Sequence, residues 1–140
     1  MSDLLHIVTY LVAILSMVQC LDITSLSIPS YSQEGGNVIF SCQYAVDSSK
    51  FAELDIKWYL GSSPSPFMVF LPHLQKEPQV VDPKFREKIV FSEGMEGSGF
   101  TILNMTRDMS GLYTCQASTN TGERRRRKRI IIYSKHSLNI

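Results

Sequence analysis

The chain has 140 residues, a formal net charge of +1, 44% hydrophobic residues and only 19% charged ones. That is room for one domain with a real core, and the even charge leaves no domain-wide basic field to hold nucleic acid. Low charge and ample aromatics exclude a disordered chain, while 8 Gly and 6 Pro are too few for a collagen-like or linker-dominated one.

Residues 4–18, LLHIVTYLVAILSMV, form an apolar run at the very start. Its length suits the h-region of a secretory signal and falls short of the roughly twenty residues of a spanning helix. The n-region lacks Lys and Arg and carries Asp3, so an uncleaved anchor helix is the competing reading. Val18 and Cys20 supply acceptable residues at −3 and −1 of a cleavage site before Leu21. The expected organisation is a signal peptide over 1–20, one domain over 21–133 and a short tail over 134–140. No later apolar run is long enough to span a bilayer, so the product is expected to be secreted and extracellular.

Loss of Cys20 with the signal leaves Cys42 and Cys115, and an even pair in an oxidising compartment reads as one disulfide. Closing that loop contributes roughly 4 kcal/mol through the unfolded state.

Beyond the leader, alternation predicts strands. After the turn-like Glu34-Gly35-Gly36, Val38, Phe40 and Cys42 alternate with Ile39 and Ser41. Leu54, Ile56 and Trp58 then alternate with Asp55, Lys57 and Tyr59. Phe67–Leu71 is an apolar run between proline-bearing turns, and Ile89–Phe91 precedes the glycine-rich segment 93–99. Phe100 and Ile102, then Tyr113, Cys115 and Ala117, continue the alternation, and Ile130–Tyr133 closes the series. No segment beyond the leader carries helical periodicity. Short strands at this spacing indicate an all-β antiparallel sandwich.

Cys42, Trp58 and Ser110-Gly111-Leu112-Tyr113-Thr114-Cys115 resemble the Cys…Trp…Cys framework and tyrosine corner of the immunoglobulin superfamily. The resemblance implies a two-sheet sandwich in which Cys42 and Cys115 bridge the sheets and Trp58 packs on the bridge. It also implies that Tyr113 buries its ring and returns its hydroxyl to nearby backbone. The cysteines stand 73 residues apart, leaving room for the extra strands of a variable-type domain. The family's Asp four residues before the corner tyrosine is replaced here by Met109, with Asp108 one residue upstream, so its ion pair with Arg86 is either shifted or absent. A narrower set of residues, Cys42-Gln43-Tyr44, Lys57-Trp58-Tyr59 and Phe67–Pro72, is similar to the first domain of arthropod beaten-path proteins. Those are neuronal immunoglobulin proteins that bind sidestep-type receptors. Their aromatic run usually carries Arg where this chain has Val69.

With Leu54, Ile56 and Trp58 inward, Tyr59 faces outward, and part of the doubly apolar run Phe67, Met68, Val69, Phe70 and Leu71 should join it. Thr114 and Gln116 would complete a face for an extracellular or cell-surface protein partner, by resemblance another immunoglobulin-superfamily member. The alternative is that a bent strand or the Pro72 loop covers the run. Arg124, Arg125, Arg126, Arg127, Lys128 and Arg129 begin the last strand. They can protect a sheet edge, bind a polyanion such as heparan sulfate, or present a site to secretory processing proteases. A nuclear signal conflicts with the leader. Asn104-Met105-Thr106 is an N-glycosylation acceptor. His6, His73 and His136 stand apart, and no nucleophile elbow, phosphate loop or carboxylate pair flanked by a candidate cleft occurs, so no enzyme, cofactor, metal or nucleic-acid partner is expected. Protein recognition is the favoured function, with a matrix-binding factor held through 124–129 as the alternative. The end at SKHSLNI is also compatible with a truncated isoform of a larger cell-surface immunoglobulin protein.

Overall fold

The computed structural model describes residues 3–9, 21–91 and 98–134. Residues 3–9 are helical, and the expected cleavage point after Cys20 lies outside the described residues. No helix among the described residues is long and apolar enough to cross a membrane.

Ten strands follow. They are β1 (Asp22–Ser27), β2 (Tyr31–Gln33), β3 (Val38–Ala45), β4 (Asp55–Leu60), β5 (Met68–Phe70), β6 (Gln79–Val80), β7 (Ile89–Val90), β8 (Gly99–Ile102), β9 (Gly111–Thr119) and β10 (Gly122–Tyr133). They form a four-stranded sheet, β1-β3-β8-β7, and a six-stranded sheet, β2-β10-β9-β4-β5-β6. The N-terminal segment is shared between them. β1 pairs antiparallel with β3, the chain turns at Pro29, and β2 runs parallel to the end of β10. β5 and β6, the strands added after the tryptophan, extend the second sheet past β4.

The inward residues meet as the alternation predicts. Leu54, Ile56 and Trp58 of β4 are buried, as are Val38, Phe40 and Cys42 of β3. Phe40 stacks on Phe100 at 5.2 Å and meets Tyr113 edge-on at 4.7 Å, while Trp58 meets Phe100 edge-on at 5.0 Å. Such offset and T-shaped contacts suit the ring quadrupoles. Cys42 of one sheet is bonded to Cys115 of the other, with Cα atoms 6.6 Å apart. Trp58 is the direct partner of Cys115 across the β4–β9 ladder.

The tyrosine corner is present. The Tyr113 hydroxyl donates to the Met109 carbonyl at 2.7 Å, and burial first, then the charge of Asp108, pushes the phenol's pKa up. Tyr113→Phe removes this bond and leaves a buried carbonyl short of a donor, which costs about 1–3 kcal/mol. A urea midpoint lowered with unchanged slope is the expected reading, and an unchanged midpoint would contradict it. The neighbouring ion pair has moved. Asp108 takes Thr106 and Lys84 as partners, with Lys84 Nζ at 2.9 Å, and Arg86 instead reaches the Val81 carbonyl. The Thr106 hydrogen bond, then that from Lys84, holds the Asp108 carboxyl down at about 2.

The apolar run of β5 corrects the expected binding face. Phe67, Met68 and Phe70 are buried in the core. Met68 and Phe70 share the inward side, opposite Trp58 and Ile56. Phe67 lies just before the strand, where alternation does not yet hold, and stacks on Phe85 at 4.5 Å. Phe85 comes from a short helix, Pro83–Arg86, started by the Asp82 carboxylate accepting from the Lys84 amide at 2.9 Å. The chain then turns after Leu71, whose carbonyl accepts from Leu74 and Gln75. Only Val69 and Leu71 of the run stay half-exposed.

Candidate functional site: the outer face of the six-stranded sheet

Register defines the outward face row by row. Arg125, Gln116, Lys57, Val69 and Gln79 lie side by side across five strands. One row along, Arg127, Thr114 and Tyr59 are neighbours, and on the other side Glu123, Ser118 and Asp55 are. Arg129 lies beside Leu112, and Ile131 beside Tyr31. Tyr59 and Thr114 are therefore brought together as expected, half-exposed on this face.

Gln116 is on the face but does not present itself to solvent. It is 6% exposed, because Arg125 and Lys57 flank it and its Nε2 donates to Ser118 Oγ at 3.1 Å. Its Oε1 and Asp55 Oδ1 are buried acceptors with no hydrogen-bond partner among the described residues. Unpaired buried acceptors cost free energy.

The six cations sit in β10, hydrogen-bonded to β9 from Gly122 to Ile130, while β2 covers only the far end of the strand. Strand alternation divides them. Arg125, Arg127 and Arg129 lie on the outer face, and Arg124, Arg126 and Lys128 on the opposite side of the same exposed edge. Among the described residues, the single ion pair formed by the run joins Arg125 to Glu123 at 3.4 Å, on side chains 61% and 54% exposed. A pair so open is worth about 0–1 kcal/mol. The cations also blunt pairing along the uncovered edge. A processing protease would have to peel this strand from β9 before cutting at Arg129, since the next residue, Ile130, is fully buried.

The sheet's outer surface is concave beside the turn leaving β4. Residues 61–64, Tyr59, Leu112, Thr114, Arg125 and Arg127 line an open concavity of about 300 Å³. Gly61 makes that turn with φ +65°, a conformation glycine adopts without a Cβ penalty, and its amide donates to the Leu112 carbonyl at 2.8 Å. Apolar area also continues down the face, where Tyr31 and Ile131 are 66% and 46% exposed. Neither these two nor the 61–64 turn stood out in the sequence as parts of the face.

Asn104 is exposed in the turn after β8, with φ 51°, while Met105 is buried and the Thr106 hydroxyl bonds Asp108. Among the described residues, no three His, Cys, Asp or Glu side chains come together as a metal site.

No family model matches the chain, and no curated protein matches its sequence. Solved structures do match its fold. The human B7-H4 IgV-like domain aligns with TM-score 0.55 at 16% identity, over 79% of this chain and 96% of that one. Drosophila OTK domains 3–5 align with TM-score 0.55 at 17% identity, over 81% of this chain and 31% of that one. Titin domains Z1Z2, in complex with telethonin, align with TM-score 0.57 at 15% identity, over 84% of this chain and 49% of that one. The chain thus spans about half of the titin pair and under a third of the OTK fragment. Two sheets bridged by Cys42–Cys115, the tyrosine corner, and β5 and β6 beyond the tryptophan give this chain the immunoglobulin fold in its variable-type form.

Proposed function

We propose that the protein is a secreted recognition module that binds an extracellular or cell-surface protein through the outer face of its six-stranded sheet. One observation carries the reading, the mixed chemistry of that face. Arg125, Arg127 and Arg129 offer donors, the exposed Glu123 carboxylate offers an acceptor, and Tyr59, Leu112, Ile131 and Tyr31 offer apolar area. A protein surface supplies both hydrogen-bonding senses and apolar contact, as interfaces require. The beaten-path resemblance points to another immunoglobulin protein as the partner. Secretion is supported by the leader-like start and by a disulfide that needs an oxidising compartment. A glycan on Asn104, in the turn after β8, would leave the outer face clear.

The second reading, a heparan sulfate-bound matrix factor, is favoured by the cationic edge itself. A sulfated chain lying along that edge would use the arginines of both sides. The test compares two triple variants of the secreted chain for binding to cells that display extracellular immunoglobulin proteins. Arg125→Ser/Arg127→Ser/Arg129→Ser should lower binding to one receptor by about tenfold or more. Arg124→Ser/Arg126→Ser/Lys128→Ser should change it by less than about twofold at physiological salt. Binding to all cells, lost equally with either triple and abolished by heparinase, would replace the protein-recognition reading with the matrix one.

A further inference from the structure

We infer that the 300 Å³ concavity between the 61–64 turn and β10 is an anchor pocket for an acidic side chain of the protein partner. The inference rests on the recognition reading and specifies its chemistry.

The pocket's geometry follows from register. Arg127, Thr114 and Tyr59 stand in one row on adjacent strands, so Arg127 and Tyr59 face each other across two strand spacings, about 10 Å. Arg125 lies two residues back along β10, about 7 Å from Arg127. The floor is Thr114 and Leu112, and the 61–64 turn closes one end.

The charge is of one sign. No carboxylate lines the pocket, and Arg127 has no ion pair among the described residues. Arg125 holds Glu123 only through exposed arms, a contact an incoming anion can exchange for its own. Arg125 and Arg127, on one side of β10, can each donate charge-assisted, fork-shaped hydrogen bonds to an oxyanion bound between them, and the Thr114 hydroxyl adds another donor. The Tyr59 ring and Leu112 supply an apolar wall for the methylenes of the same residue. A concavity of about 300 Å³ has room for one acidic side chain with part of its backbone.

Alternation makes the inference separable from general attraction to anions. Arg126 is next to Arg125 and Arg127 in sequence yet lies on the other side of the strand. The probes are an acetylated tetraglutamate peptide and a heparin decasaccharide, titrated against the folded protein at low salt. Arg127→Ser should weaken peptide binding by about tenfold, whereas Arg126→Ser should change it by less than about twofold. Tyr59→Ala should weaken the peptide without changing the heparin fragment. Equal losses from Arg126→Ser and Arg127→Ser would overturn the pocket, as would a heparin fragment that binds while the peptide does not. Should the outer triple variant lose its receptor while Arg127→Ser and Tyr59→Ala keep it, the recognition reading stands and the pocket falls.

Discussion

Phe70→Asp is expected to leave the domain unfolded at room temperature, whereas Val69→Asp, one residue away, should lower the urea midpoint only slightly. Phe70 is 4% exposed and faces Ile56 in the core, while Val69 lies between Lys57 and Gln79 on the outer face. Truncating a buried phenylalanine costs about 3–5 kcal/mol through lost burial and the cavity left behind. The carboxylate adds the cost of burying a charge without a partner, or of holding it protonated, which is at least several kcal/mol more. A domain of this size has about 5–15 kcal/mol in total, so the first change exhausts much or all of it. Val69→Asp instead places a carboxylate beside Lys57 on a half-exposed site, where the loss is packing and strand propensity, about 1 kcal/mol. Near-UV circular dichroism and urea titration distinguish the cases. A cooperative, native-like transition for Phe70→Asp would mean that β5 turns its aromatic residues outward after all. The pair also guards binding experiments, because lost binding in Phe70→Asp reports unfolding and not a docking residue.

The contrast marks how far the sequence carried. Strands with clean alternation of apolar residues in the sequence, β3, β4 and β9, were legible down to which side chains point inward, although in β9 the outward Gln116 is buried as well. The bridge and the corner were legible from Cys42, Trp58, Tyr113 and Cys115 through resemblance. The run Phe67–Leu71 was not, since a stretch apolar at every position carries no facing signal. What decided it was Phe85, 18 residues later in a four-residue helix, whose ring covers Phe67. Likewise β2 is three residues without apolar alternation, Tyr-Ser-Gln, and exists because the end of β10 offers it an edge. Tyr31 therefore joined the face only through a pairing between residues far apart in sequence. The division of the basic run into two faces was implicit in any strand. Which face held the concavity depended on the 61–64 turn, which composition alone marks only as a turn.

The disulfide sets the other large effect. Cys42→Ala/Cys115→Ala should lower stability by about 4 kcal/mol or more, through the unfolded state first. The bridge closes a loop of 73 residues, so the unfolded chain with the bond intact explores far fewer conformations than the chain without it. A second contribution comes from the folded state. Both cysteines are buried at about 1% exposure or less, in a core that includes Phe40, Trp58 and Tyr113, and alanine leaves part of the sulfur volume empty. Phe40, Trp58, Phe100 and Tyr113 still interlock, and the β-ladders do not depend on the bond. The variant should therefore keep a native-like fold at low temperature while losing most of its stability margin. Its unfolding should also show a steeper urea dependence, because the uncrosslinked chain exposes more surface. Wild-type protein reduced in urea should approach the variant's midpoint, offset by the cavity contribution alone. A double variant as stable as the oxidised wild type would mean that the two sheets are held by aromatic packing, with the bond contributing nothing net.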